Sequence, residues 1–179
     1  MGAIHALLAA EAEVNHADNT GWTALFWAAQ EGHVEALQAL LAAGADPNRA
    51  SNDGSTALYV AAQKGHVETM KALLAAGAEV NHANNEGETA LYTAASNGHV
   101  EAIKALVAAG AAVNHTANDG TTALYWAAQE GHVEEIQTLL AAGADPNRAS
   151  NSGSTPLAAA RAAKHEAAVQ ALVQAGATA

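Results

Sequence analysis

Apolar and polar positions along this chain form a block that returns every 33 residues without insertion. Within one copy, Leu58, Ala61 and Ala62 fall at i, i+3 and i+4, the spacing that gathers side chains on one helix face. Thr56 stands where an N-cap hydroxyl is wanted, and Gly65 supplies the left-handed turn that ends a helix. A second apolar stripe follows at once through Val67, Met70, Leu73 and Leu74, and Gly77 closes it. The polar, Asn-rich stretch from Glu79 to Glu86 predicts an exposed loop that turns the chain. Each predicted helix is about ten residues, too short to persist alone. Stability must therefore come from neighbours, as a sum over adjacent interfaces.

The marker Gly-x-Thr-Ala-Leu recurs at Gly21, Gly54, Gly87 and Gly120, and returns as Gly-Ser-Thr-Pro-Leu at Gly153. A fixed period in this range is the signature of a stack of small units. The run Gly-x-Thr-Ala-Leu-Tyr-x-Ala-Ala-x-x-Gly-His-Val-Glu, followed by Leu-Leu-x-x-Gly-Ala-x-x-Asn, resembles the ankyrin repeat over essentially the whole chain. The resemblance implies an all-α ankyrin-repeat solenoid, with helix-turn-helix units joined by exposed turn loops. It divides the chain, as a single domain 1–179, into a half-repeat 1–17, full repeats 18–50, 51–83, 84–116 and 117–149, and a capping repeat 150–179. There are departures. Ala24, Ala57, Ala90 and Ala123 stand where the family has Pro, and Phe26, Tyr59, Tyr92 and Tyr125 where it has His. Aromatic packing is expected to replace the family's Thr–His arrangement.

The two ends differ from the middle. Residues 1–15 align only with a second helix, Ile4, Leu7 and Leu8 matching Leu37, Leu40 and Leu41, so the leading end is expected to be incompletely capped. In the last unit Ala158, Arg161, Lys164 and Glu166 replace Tyr, Ala, Gly and Val of the internal copies, placing charge where a further repeat would dock. Gly21–Asp53 and Gly120–Ser152 differ at only six of 33 positions, which points to a duplicated or engineered three-unit module.

Composition narrows the function classes. Half the residues are apolar but 4% are aromatic, so the core must be Leu, Val and Ala in closely approaching short helices. Acidic side chains outnumber basic ones 18 to 7; a nucleic-acid partner would need a basic stripe, and none is present. With no cysteine there is no disulfide framework and no Cys-based metal site or nucleophile. No apolar run reaches the ~18–20 residues of a membrane span, and the start lacks a signal peptide's sections. A soluble, intracellular (cytoplasmic) protein is expected.

All seven aromatic residues lie at the start of the first helix or just before it. At 100° per residue, Leu25 faces the core and Trp27 nearly opposite, as do Leu124 and Trp126. With neighbouring helices ~8–10 Å apart, Trp27, Val60, Thr93 and Trp126 form a stripe roughly 30 Å long. In ankyrin-like proteins that surface is the concave groove used for binding. Glu31, Lys64, Asn97 and Glu130 rim it one turn on, and the loop tips add Trp22, Ser55, Glu88 and Thr121. An apolar patch with Trp and a polar rim fits an interface hot spot. The competing reading has each Trp lying flat over the Ala-rich core of its own repeat.

Other motifs carry less. His33, His66, His99 and His132 follow Gly at the start of the second helix, where a hydrogen bond fixing the turn is the ordinary role. Loop histidines His16, His82 and His115 recur one unit apart, ~10 Å, too far to share a zinc ion with ~2.0–2.1 Å bonds; no metal and no cofactor are expected. No Ser-His-Asp order, phosphate loop or HExxH is present, so no enzyme is expected. Asn15 and Asn81 resemble ankyrin asparagines that an asparaginyl hydroxylase modifies, although bonding to backbone is their plainer role. The function expected is binding of a protein or peptide, basic or polar, through the inner-helix and loop-tip surface. The alternative is a structural or engineered scaffold, self-associating through its leading end rather than remaining monomeric.

Overall fold

The computed structural model describes residues 13–178. The half-repeat helix expected over the first twelve residues lies outside them. Among the described residues ten helices form five pairs: α1 (Ala24–Gln30) with α2 (Val34–Ala42), α3 (Ala57–Lys64) with α4 (Val67–Ala75), α5 (Ala90–Ser96) with α6 (Val100–Ala108), α7 (Ala123–Glu130) with α8 (Val133–Ala141), and α9 (Pro156–Ala162) with α10 (Glu166–Gln174). Odd-numbered helices contact odd-numbered neighbours and even contact even, so the pairs stack as two layers. We call the layer of odd-numbered helices, which joins the loop tips, the inner layer.

Local chemistry sets the helix ends. Thr23, Thr56, Thr89, Thr122 and Thr155 each accept at Oγ1 from the backbone N–H three residues on, at 3.2–3.4 Å. Such caps are worth about 1 kcal/mol each. The outer helices start at histidines without a side-chain cap, and Glu35, Glu68, Glu101, Glu134 and Glu166 in their first turns complement the helix dipole. The inner helices have seven or eight residues and the outer ones nine, shorter than the period alone suggests, because a glycine turn consumes the boundary between them. The core was expected to be Leu, Val and Ala; among the described residues it is mainly Leu and Ala, with Met70, Ile103 and Ile136 and with Val60 as its one buried valine. Leu25, Leu58, Leu91, Leu124 and Leu157 come from the inner layer and Leu37, Leu73, Leu106, Leu139 and Leu172 from the outer, all 2% exposed or less.

Register between units comes from polar contacts. Asn15, Asn48, Asn81 and Asn114 each donate Nδ2 to a glycine carbonyl of the next unit and accept at Oδ1 from a backbone N–H two residues further, at 2.7–3.3 Å overall. A second ladder joins the tips: Asn52, Asn85, Asn118 and Asn151 donate Nδ2 to the carbonyl of the residue 33 positions back, at 2.9–3.0 Å. Backbone N–H groups of the same four bond back to the previous tip.

The histidines after the inner helices act between units. His66 and His99 place Nε2 on the carbonyls of Gln30 and Gln63 in the preceding unit, at 3.1 and 3.0 Å. The expected hydrogen bond at the turn is a tertiary one, because the ring reaches across the stack rather than back along its own chain. His82 and His115 do likewise with Gly54 and Gly87 carbonyls. Gly65 makes the approach possible: it sits at φ +71°, and a Cβ there would lie 2.7 Å from His99 Nδ1. In the last unit Lys164 occupies the equivalent place with φ 64°. No described unit follows to crowd it.

Gly65→Ala should therefore cost about 2–3 kcal/mol, combining left-handed strain with displacement of His99. Lys164→Gly should add about 0.5–1 kcal/mol by removing strain at an uncrowded site. Urea unfolding of both variants checks the opposite signs. Thr69 Oγ1 is buried in α4 with no hydrogen-bond partner, so the near-isosteric Thr69→Val should raise the midpoint by an amount equivalent to about 1 kcal/mol.

Candidate functional site

The loop tips stand beside the outward face of the inner helices and leave recesses between them. One, of about 330 Å³, runs across the first three units from Trp22 and Phe26, past Tyr59 and Val60, to Glu86 and Glu88. A second, of about 270 Å³, lies between the Glu86–Glu88 tip, Tyr92 and Asp119. A third, of about 440 Å³, is lined by Asp119, Tyr125, Trp126 and Gln129 with the Ser150–Ser152 tip. Together they follow the whole inner face.

Three aromatic rings mark one end. Trp22 and Phe26 stack with centroids 4.9 Å apart and planes 13° from parallel. Trp27 stands nearly perpendicular to Trp22, centroids 4.7 Å apart. Contacts of this kind stabilise by about 0.5–1.5 kcal/mol beyond buried area. Phe26 is buried, Trp22 half-buried, and Trp27 is 42% exposed. Apart from Val173 in the terminal helix, Trp27 is the exposed large apolar side chain among the described residues. At the other end Trp126 is half-buried; its Nε1–H donates to Thr121 Oγ1 at 3.1 Å, and its ring lies 6.1 Å from Tyr92 and 6.0 Å from Tyr125.

The middle of the expected stripe differs from the helical wheel. Val60 and Thr93 are 6% and 3% exposed. Val60 is short and sits on the floor of the first recess between larger neighbours. Thr93 is covered by Asn97, whose amide folds back to the Thr93 carbonyl at 2.8 Å. Ser55 and Thr121, expected at exposed tips, are also buried. Ser55 bonds the Asp53 carboxylate through N–H and hydroxyl, and Thr121 does the same with Asp119. Glu31, Lys64, Asn97 and Glu130 remain on the exposed rim. Asn15 and Asn81 lie in the inter-unit ladder, each with both amide atoms bonded.

Two tyrosines at the family's His position tie their inner helices to the next tip. Tyr59 O–H donates to Glu88 Oε2 at 2.7 Å, and Tyr92 O–H lies 3.3 Å from Thr121 Oγ1. Burial, then the hydrogen bond to Glu88 and its charge, pushes the Tyr59 hydroxyl well above the usual phenol range. Burial is also the main cause for Tyr92. Asp53 is held low, first by the Ser51 hydroxyl. That Asp53 and Glu86 share a recess with Trp22 depends on which tips neighbour which helix, which residue order does not mark.

Charge on this side is mostly acidic. Asp18, Glu31, Asp53, Glu86, Glu88, Asp119 and Glu130 lie on the tips and inner helices, against Lys64 and Arg161. Lys71 and Lys104 sit on the outer layer, paired with Glu68 and Glu101 at 2.8 and 2.7 Å. Among the described residues no group of three or more His, Asp and Glu could hold a metal ion. No helix of the described residues is long and apolar enough to cross a membrane.

The family model described as ankyrin repeats (3 copies) matches residues 2–84, 35–117, 62–150 and 110–179. The chain belongs to the ankyrin-repeat family. Comparison with curated proteins finds no match. Ankyrin repeats are generally protein-interaction modules and typically non-catalytic, and this ankyrin-repeat chain carries its aromatic residues on the tips and inner helices.

The tyrosine bridges give this ankyrin-repeat chain an alkaline limit. Their folded pKa values lie above the unfolded value of about 10, so the stabilisation is complete below that pH. It is lost as pH rises above it, because the unfolded state releases protons that the folded state holds. Melting temperature measured from neutral pH upward should fall beyond about pH 10, and Tyr59→Phe with Tyr92→Phe should flatten that fall.

Proposed function

We propose that this ankyrin-repeat chain is a non-catalytic binding module that engages a protein or peptide through its inner-helix and loop-tip groove. The observation that carries the reading is Trp27: a large indole, 42% exposed on the outward face of α1 and braced by Trp22. Leaving such a ring in water forgoes about 1.5–3 kcal/mol of burial, and a braced ring loses little conformational entropy when a partner covers it. Trp126 offers a second, partly shielded ring three units away, with Glu31, Lys64, Asn97 and Glu130 as the polar rim between and around them. The excess of carboxylates on this face favours a basic partner and speeds its approach at low salt.

Peptides selected by display on the wild-type protein test this. Replacing both Trp27 and Trp126 by Ala should weaken the selected binders by roughly thirtyfold or more, the effect of losing a hot-spot anchor, with helical content and melting temperature retained. Binders indifferent to both changes would put the interaction surface elsewhere.

A further inference from the structure

One asparagine on the groove rim differs from all the others. Asn97 precedes a glycine, whereas every other asparagine in the chain precedes a residue with a side chain. An asparagine amide carbon is open to attack by the backbone nitrogen of the following residue, and glycine leaves that nitrogen unscreened. Asn97 is exposed at the end of α5, and Gly98 follows it at φ +74°. The equivalent glycines Gly32, Gly65 and Gly131 tie their N–H groups to the carbonyls of Ala29, Ala62 and Ala128 at 3.2–3.3 Å. The Gly98 N–H makes no hydrogen bond among the described residues, so its proton is open to water.

Comparable places in the stack are closed. Asp53 and Asp119 also precede glycines, but Gly54 and Gly120 donate to the Ser51 and Ala117 carbonyls at 2.9 Å, and hydroxyls of their own tips hold both carboxylates. Asn48, Asn81 and Asn114 have both ends of the amide bonded to the next unit. Asn97 bonds only within its own helix end: Nδ2 donates to the Thr93 carbonyl at 2.8 Å and to Ser96 Oγ at 3.1 Å, while Oδ1 has no partner among the described residues. Its backbone, at φ −101° and ψ 4°, must turn to bring Cγ over the Gly98 nitrogen. The last turn of a helix opens at little cost, and α5 has only seven residues.

We propose that Asn97 is a self-modifying site, which turns into a carboxylate in the folded protein and resets the middle of the groove; the resetting rests on the groove being the binding surface. The Gly98 nitrogen loses its proton and attacks Asn97 Cγ. A new C–N bond forms as Cγ–Nδ2 breaks, and the amide nitrogen leaves as ammonia with that proton. Water then opens the five-membered imide at either of its two carbonyls, giving aspartate or the isomer whose backbone runs through Cγ. Water is the only co-reactant. The product reverses the local hydrogen bonding: a carboxylate has no donor for the Thr93 carbonyl, and its charge faces the negative end of α5. The side chain must swing off Thr93, which it now covers, and the rim gains a charge between Lys64 and Glu130. The isomer also adds a backbone carbon beside Gly98, where even a Cβ would lie 3.0 Å from His132 Cε1, so it strains the contact between the third and fourth full repeats.

The test ages the folded protein in warm, mildly alkaline buffer and maps each asparagine by mass spectrometry, with an isoaspartyl methyltransferase reporting the isomer. Asn97 should convert about tenfold faster than any other asparagine of the folded chain, since the others face a nitrogen screened by a side chain. Asn97→Gln, whose longer side chain closes a ring far more slowly, should abolish the isomer signal. Asn97→Asp should lower the melting temperature by about 2–4 °C. Basic display-selected binders that need Trp27 and Trp126 should hold the Asp variant about threefold more tightly at low salt. Conversion at Asn97 no faster than at other asparagines, or an isomer signal that persists in Asn97→Gln, overturns the site. If Asn97 converts while binders that need both Trp residues ignore Asn97→Asp, the resetting falls and the groove reading stands. If Asn97 converts selectively while selected binders ignore Trp27 and Trp126, the modification stands and the groove reading falls.

Discussion

An asparagine amide reaching the backbone of the next unit is the interaction on which this structure depends. Each inner helix has only seven or eight residues, too few to hold together in water without tertiary contacts. Its connecting loops carry backbone groups whose partners stand in the neighbouring unit. Asn48 meets both needs at once, donating to the Gly77 carbonyl and accepting from the Glu79 N–H. Because the amide has one donor end and one acceptor end with fixed separation, it specifies register as well as contact. Asn85 does the same job at the tips, with its own N–H and amide both bonded to the previous loop. Burial of Leu and Ala drives the stacking; these amides decide where each unit stops.

Close approach is the condition that lets the ladders form. A Cβ at Gly54 would lie 2.8 Å from the Asn85 backbone nitrogen, so the tip must be glycine for the next tip to reach it. In the last described unit the condition lapses: no described atom lies within 4 Å of a Cβ at Gly153, and Lys164 takes a place that is glycine in the internal units. The register in turn creates the groove. It sets Glu88 under the Tyr59 hydroxyl and Asp53 beside Trp22, residues that no single unit could bring together. Aromatic rings concentrated in the first unit and again in the fourth make the two ends chemically unlike the middle, where Val60 and Thr93 are covered. A uniform repeat therefore supports a groove that is not uniform.

Much of this was legible from residue order. The 33-residue spacing of Gly-x-Thr-Ala-Leu implied stacked helix pairs, and the threonine caps and leucine stripes appear where the pattern places them. The wheel argument also put Trp27 outward. It was less informative about Val60 and Thr93, which occupy the same angular position yet are buried. Outward from a helix axis is not the same as outward from a stack, because tips and neighbouring side chains roof over the short residues. Histidines were legible as a column but not by partner, since a bond across 36 residues leaves no local trace.

By itself, then, the order of residues determined the period, the two helices of each unit, their caps, the acidic balance and the family. These follow from local propensity and from a repeat that forces every copy into the same environment. Tertiary structure alone decided which polar groups are used up: that Ser55 and Thr121 turn inward to a carboxylate, that Asn15 and Asn81 are bonded at both ends, and that Glu88 spends one oxygen on Tyr59 and Asn84. The physical reason is that hydrogen-bond satisfaction and burial are properties of neighbours in space, and in a stack the neighbours that matter lie about one period away.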